Sequence, residues 1–182
     1  MNWFKTKNQQ ILQRLFIQEG GHAYSFMDVS AMVQTYSQSL LREDIHPHDR
    51  ILIYLPGGIQ MVEIILACFE IGVIATPISP RLSERELRAV IEKIQPKLII
   101  TNWEYRASFT SYSLPLTPIE ELPNSAYGCS SANNSYKQNS DDIAVIILTS
   151  GTTGIPKAVQ LTYGNFKISC SNWNNFLQFE SN

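Results

Sequence analysis

Residues 51–76 read ILIYLPGGIQMVEIILACFEIGVIAT, and this stretch decides the fold. Ile51 to Leu55 is an unbroken apolar run rather than an alternating one, the pattern of a strand covered on both faces in a parallel sheet. From Ile59 to Ile71 the chain is apolar nearly all round, with Glu63 and Glu70 seven apart on one side. That composition predicts a helix sandwiched between layers. Val73 to Thr76 reads as a second strand, with Pro77 and Pro80 as breaks directly after it.

Working outward, Ser83-Glu84-Arg85-Glu86 has the spacing of a capping box. The helix it starts presents Leu87, Val90, Ile91 and Ile94 to a core and leaves Glu84 and Arg88 to pair on its wet face. Pro96 stops that helix, and Lys97 to Thr101 is the next strand. Strand and helix alternate, so the fold class is α/β, a mostly parallel sheet flanked by helices with right-handed crossovers.

Toward the N-terminus, Trp3 to Phe16 reads as a short amphipathic helix with Phe4, Ile11, Leu12 and Leu15 available to pack, ended by Gly20 and Gly21. Ala23 to Phe26 reads as a strand running into a helix whose Ser25 and Asp28 are spaced as a capping pair. That helix would bury Val29, Val33, Tyr36 and Leu40. Toward the C-terminus the periodicity weakens from Asn102. Nine of the seventeen residues from Asn124 to Ser140 are Ser or Asn, which marks a loop or linker. Order returns at Ile143 to Leu148, a second buried-strand signature. On the final helix Cys170, Trp173, Phe176 and Leu177 are spaced for core packing.

Composition narrows the function. The chain has 182 residues, 44% apolar and 16% charged, which fits a cored protein and excludes a disordered one. Fourteen basic against sixteen acidic side chains exclude a broad nucleic-acid surface while leaving room for a local anion site. Cys68, Cys129 and Cys170 form neither a disulfide framework nor zinc spacing, so a reducing cytoplasm is expected. Ile64 to Ile78 is too short and too interrupted to span a membrane. His46-Pro47-His48 lacks a third convergent ligand and reads as a solvent loop, and Asp141-Asp142 reads as structural or solvated, so no metal site is assigned.

The chemistry lies directly after Ile143 to Leu148. Thr149-Ser150-Gly151-Thr152-Thr153-Gly154-Ile155-Pro156-Lys157 has two glycines whose backbone can turn consecutive N–H groups onto an anion. Its four hydroxyls supply rotatable donors, and Lys157 supplies a compact positive charge suited to phosphate. Such a loop also fits a plain polar turn, but the buried strand before it and the Pro-Lys at its end favour a triphosphate cradle. It is not a Walker A loop. Counted from Gly151, the second glycine of that motif falls on Pro156, and its Ser/Thr falls on Ala158.

Thr149 to Lys157 resembles the phosphate-loop signature of the adenylate-forming (AMP-binding) enzymes, which include acyl-CoA synthetases, luciferases and peptide-synthetase adenylation domains. Tyr24 to Val29, Leu55-Pro56, the helix through Ala67 and Gly72, and Pro77 to Leu87 are also similar to that family. Val159 to Asn165 looks most like the 2-succinylbenzoate–CoA ligases of menaquinone biosynthesis. Ala158 stands where many members have glycine, and Tyr163 where a histidine is frequent.

The resemblance implies that residues 1–182 are the N-terminal portion of the family's large domain, with the C-terminal part and the small lid domain absent. It implies an ATP-dependent acid–thiol ligase that makes an acyl-adenylate and passes the acyl group to CoA, with 2-succinylbenzoate as the carboxylate. Thr149, Ser150, Gly151, Thr152, Thr153, Gly154 and Lys157 would hold the ATP phosphates, with Mg2+ sharing the charge. The family's catalytic residues fall beyond Asn182, so the 182 residues alone are expected to be inactive. The alternatives are a non-catalytic remnant that binds nucleotide or a partner, or another acyl-CoA synthetase. Apolar surface left by truncation is expected to cause self-association.

Overall fold

A computed structural model describes residues 8–125, 136–149 and 157–177. Its centre is a six-stranded sheet built from β3 (Arg50–Tyr54), β4 (Ile74–Ile78), β5 (Leu98–Thr101), β6 (Leu116–Pro118), β7 (Ile143–Thr149) and β8 (Lys157–Thr162), in the order β6-β5-β3-β4-β7-β8. All neighbours are parallel except the last pair, where β8 turns back along β7.

The apolar run in β3 is explained by its two faces. Ile51 and Ile53 pack into one cluster with Val29, Tyr36 and Ile64, from α2 (Phe26–Arg42) and α3 (Ile59–Ile71). Leu52 and Tyr54 pack on the other face against Leu87, Val90, Ile91 and Ile94 of α4 (Glu84–Ile94). Every β3 residue from Ile51 to Tyr54 is therefore buried, and a polar residue at Ile51, Leu52 or Ile53 would lose its water among apolar neighbours. The helices lie on opposite faces because β3 to β4 and β4 to β5 step in opposite directions across the sheet, and right-handed crossovers demand opposite faces.

Both capping boxes form. The Ser25 hydroxyl accepts from the Asp28 N–H at 3.2 Å while the Asp28 carboxylate accepts from the Ser25 N–H at 2.8 Å. Ser83 and Glu86 repeat the exchange at the start of α4. The Ser25 and Ser83 hydroxyls also donate to these carboxylates at 2.6 Å, and together with the backbone N–H bonds they hold the Asp28 and Glu86 carboxyls below their ordinary pKa. The Glu84–Arg88 pair closes at 3.6 Å on the wet face. α3 is sandwiched as expected, between α2 and the sheet.

Four expectations are corrected. The first helix is only α1 (Gln9–Leu12), because Leu15–Glu19 is β1, paired antiparallel with β2 (His22–Ser25). Gly20 and Gly21, at φ 56° and 84°, supply the two positive-φ residues a tight hairpin turn needs, so the glycines join two strands rather than end a helix. Trp3 and Phe4 lie outside the described residues. Pro77 does not break β4: it pairs with Ile53 of β3, and β7 meets β4 only at Ala75, so no ladder bond from β7 is required of it. β7 is buried only from Ala144 to Ile146, and Ile147 is 40% exposed although the strand stays paired with β8 as far as Thr149. On α6 (Tyr163–Leu177), Cys170 is exposed and Trp173 and Phe176 are 58% and 78% exposed, with no core against them among the described residues.

Sequence periodicity misses three short elements after Asn102: the 3-10 turn Arg106–Phe109, β6, and α5 (Leu122–Ser125). Each is at most four residues long, shorter than the window a pattern needs. Residues 126–135 of the Ser/Asn-rich stretch lie outside the description. Among the described residues no helix is long and apolar enough to cross a membrane.

Candidate functional site

β7 and β8 form a hairpin whose pairing runs from Ile143 opposite Thr162 to Thr149 opposite Lys157. Branched apolar residues favour extended backbone in both strands. Residues 150–156 connect the two ends, so the sequence-predicted loop is bracketed by a pair of facing residues, one carrying a hydroxyl and one an ammonium group. The Thr149 hydroxyl donates to the Lys157 carbonyl at 3.5 Å, a long bond across the neck of the connection. Ser150, Gly151, Thr152, Thr153, Gly154 and Pro156 lie outside the described residues, while the Lys157 side chain is exposed to solvent.

β7 is parallel to β4, so Thr149 stands at the edge where β3, β4 and β5 also end. Ligands of open α/β sheets bind outside the carboxyl ends of the strands. This edge carries a cleft of about 420 Å3 lined by Leu55, Pro56, Met61, Pro80, Arg81 and Tyr105. The Tyr54 hydroxyl donates to the Pro80 carbonyl at 3.1 Å and fixes the turn after β4. Nearby, the Arg106 guanidinium lies 5.1 Å from the Trp103 ring centroid. Sequence pattern assigns Arg81 and Tyr105 no role, because on pattern alone Pro77 and Pro80 are only breaks.

The base of the hairpin, at the opposite end from Thr149 and Lys157, is polar and fully engaged. Asp142 accepts from the Tyr136 hydroxyl and the Asn139 N–H, both at 2.8 Å. The Asn139 and Tyr136 bonds hold its carboxyl below the usual range, which gives Asp142 the structural role its sequence position suggests. The Tyr136 ring lies over Gly72, where an added Cβ would come within 2.4 Å of it. His48 meets the Tyr136 hydroxyl at 3.1 Å through Nε2. No group of three His, Cys, Asp or Glu side chains that could hold a metal occurs among the described residues.

One carboxyl is buried on α3. Glu63, in the second turn of α3, is 5% exposed, and burial together with the nearby Glu19 pushes its pKa up to about 7. Glu19 itself accepts from the Ile59 N–H at 3.2 Å, seated where the helix start attracts negative charge.

Comparison with known proteins bears on the same residues. The model of the AMP-binding enzyme family matches residues 4–181. A 2-succinylbenzoate–CoA ligase of Oceanobacillus iheyensis is 31% identical over 147 residues, covering 81% of this chain and 30% of the relative. A medium-chain fatty-acid–CoA ligase of Escherichia coli is 25% identical over 187 residues, covering 92% and 33%. The chain thus spans about a third of the length of these relatives. Among solved structures, the o-succinylbenzoate CoA synthetase of Bacillus subtilis in complex with ATP and magnesium ion superposes with a TM-score of 0.81 at 22% identity, over 94% of this chain and 46% of that one. That likeness is one of fold. With the family match running through nearly the whole chain and a relative sharing close to a third of its aligned residues, the protein belongs to the family of AMP-binding enzymes.

Proposed function

We propose that this chain contributes the ATP-phosphate site of an acid–CoA ligase acting in the cytoplasm. The observation that carries the reading is the β7–β8 hairpin, which sets Thr149 opposite Lys157 and brackets the glycine- and hydroxyl-rich connection between them. In the proposed reaction a carboxylate oxygen attacks the α-phosphorus of ATP, the bond to the β-phosphate breaks, and pyrophosphate leaves. The CoA thiol then attacks the acyl carbonyl, AMP departs, and a thioester remains. The role of Ser150, Thr152, Thr153, Lys157 and the N–H groups of Gly151 and Gly154 is to hold and neutralise the leaving pyrophosphate, with the Thr149 hydroxyl at the loop neck.

Magnesium would offset the phosphate charge that one lysine cannot balance. The preferred carboxylate is 2-succinylbenzoate, supported by the named activity of the Oceanobacillus iheyensis relative. The Escherichia coli relative makes a fatty acid the alternative. Since the relatives are about three times longer, the 182 residues by themselves are expected to show no thioester synthesis.

The test is Lys157→Ala in an enzyme of the relatives' length that carries this segment. ATP–pyrophosphate exchange should fall by about 100-fold, the scale of losing one charge-stabilising donor. Exchange at the parent rate would remove the loop from the mechanism.

A further inference from the structure

The β1–β2 hairpin stands apart from the six-stranded sheet. Its base is tied to the body, because Ser25 runs straight into α2 and the Phe16 and Phe26 rings meet edge-on at 5.0 Å. Beyond the base, Ile17 and Tyr24 lie on the core. The turn is open: Gly20 and Gly21 are exposed, and a Cβ added at either would meet nothing within 4 Å. At this end Glu19 supplies the fastening, its carboxylate accepting from the Ile59 N–H at 3.2 Å. α3 begins there without a cap of its own, since Gly58 at its N-cap has no side chain to accept from the first N–H groups. The fit is close, and a Cβ at Gly58 would collide with Glu19 Oε1.

The same helix face carries a second carboxyl. Glu63 is four residues after Ile59, one turn further along the face on which Glu19 is seated. Glu63 is buried, and no ion pair reaches either carboxyl among the described residues. The titratable groups facing it are Glu19 of β1 and the Tyr36 phenol of α2, with Glu120, just before α5, also acting on Tyr36. None of these is a cation. While Glu63 is protonated, Glu19 is drawn to the helix start without opposition. Once Glu63 ionises, a second negative charge sits on that face with nothing to offset it, and water must reach it. A cleft of about 340 Å3 lies between the hairpin and the helix start, lined by Glu19, Tyr24, Gly58 and Gln60. It shares Pro56 and Gly57 with the cleft at the carboxyl edge of the sheet.

We propose that Glu19 and Glu63 make the β1–β2 hairpin a pH-sensitive clasp: with Glu63 protonated the turn is fastened to the start of α3, and ionisation of Glu63 releases it. Release uncovers the hairpin side of Pro56 and Gly57, which wall the neighbouring cleft. The sign follows from the carboxyl, whose pKa in the folded chain is raised to about 7 by burial and then by Glu19. The fastening is therefore complete in acid and lost as pH rises through 7.

Amide hydrogen exchange of the 182-residue chain, expressed as protection relative to the intrinsic rate at each pH, reads the clasp. Protection of the Ile59 N–H and of the β1–β2 ladder should fall about tenfold from pH 6 to pH 8. That is the change linkage gives when a carboxyl of pKa about 7 regains its ordinary value in the opened state. Urea below about 1 M should leave this exchange unaltered while speeding exchange in β3, because opening one turn uncovers little surface. Glu63→Gln should hold protection constant between pH 6 and pH 8. Glu19→Ala, which removes the fastening, should lower protection at pH 6 by about fivefold, the worth of one hydrogen bond. Constant protection in the parent, a fall that persists in Glu63→Gln, full protection in Glu19→Ala, or hairpin exchange as steep in urea as that of β3 would each overturn the clasp.

Discussion

The β3–β4–β5 heart and the β7–β8–α6 arm are both rich in branched apolar residues, yet the fold treats them differently. In the heart, Ile51, Leu52 and Ile53 are wholly buried between helices on both faces. In the arm, burial along β7 ends at Ile146, and after the buried Tyr163 the side chains of Ile168, Trp173 and Phe176 stand well exposed. The heart accounts for stability. The arm, held at its base and open along its length, carries the residues whose chemistry faces outward. Similar apolar composition thus serves two purposes, separated by how many faces are covered.

The contrast is broken most directly by truncating one isoleucine in each region. Ile53→Ala should cost about 2–5 kcal/mol in urea unfolding, whereas Ile147→Ala should cost under about 1 kcal/mol. Equal losses would erase the distinction.

Glu63 is the flaw within the heart. Its pKa is raised from 4.5 to about 7, so the folded state favours the protonated form. Its stabilising contribution is complete below the unfolded pKa and is lost as pH rises through 7, a span worth up to about 3 kcal/mol. Glu63→Gln should flatten the stability profile between pH 5 and 7, as followed by thermal unfolding at constant ionic strength. An unaltered slope would assign the dependence elsewhere.

The capping box of α4 gives a smaller effect. Ser83→Ala should lower stability by about 1 kcal/mol, and Ser83→Asp should recover most of it. The smallest change in stability is expected on the arm, for Trp173→Ser with Phe176→Ser. These exposed side chains form the kind of apolar surface that drives self-association. Sedimentation should show concentration-dependent association that the double variant reduces, with unfolding almost unchanged. A strictly monomeric parent chain would contradict this.

Sequence pattern makes the heart legible because its signals agree: a continuous apolar strand, a helix of matching period and a capping box all name the same boundaries. It fails where a local signal has two meanings. Gly20-Gly21 can end a helix or turn a hairpin, and only the pairing of Leu15–Glu19 with His22–Ser25 decides between them. Pro77 reads as a breaker until its place in the sheet is known. Trp173 and Phe176 have core spacing, but spacing alone does not say whether anything covers them. At the candidate site the loop is legible as residue chemistry, while Glu19 at the start of α3 is not. Its seat depends on the Ile59 N–H, 40 residues away in sequence.

The most direct test of the phosphate site is a structure of this chain, or of a longer protein containing it, with Mg2+ and a non-hydrolysable ATP analogue. The expected result is β- and γ-phosphate oxygens within hydrogen-bond reach of the backbone N–H groups from Ser150 to Gly154 and of Lys157 Nζ. Nucleotide bound elsewhere, with Lys157 and the connecting loop free of contact, would contradict it.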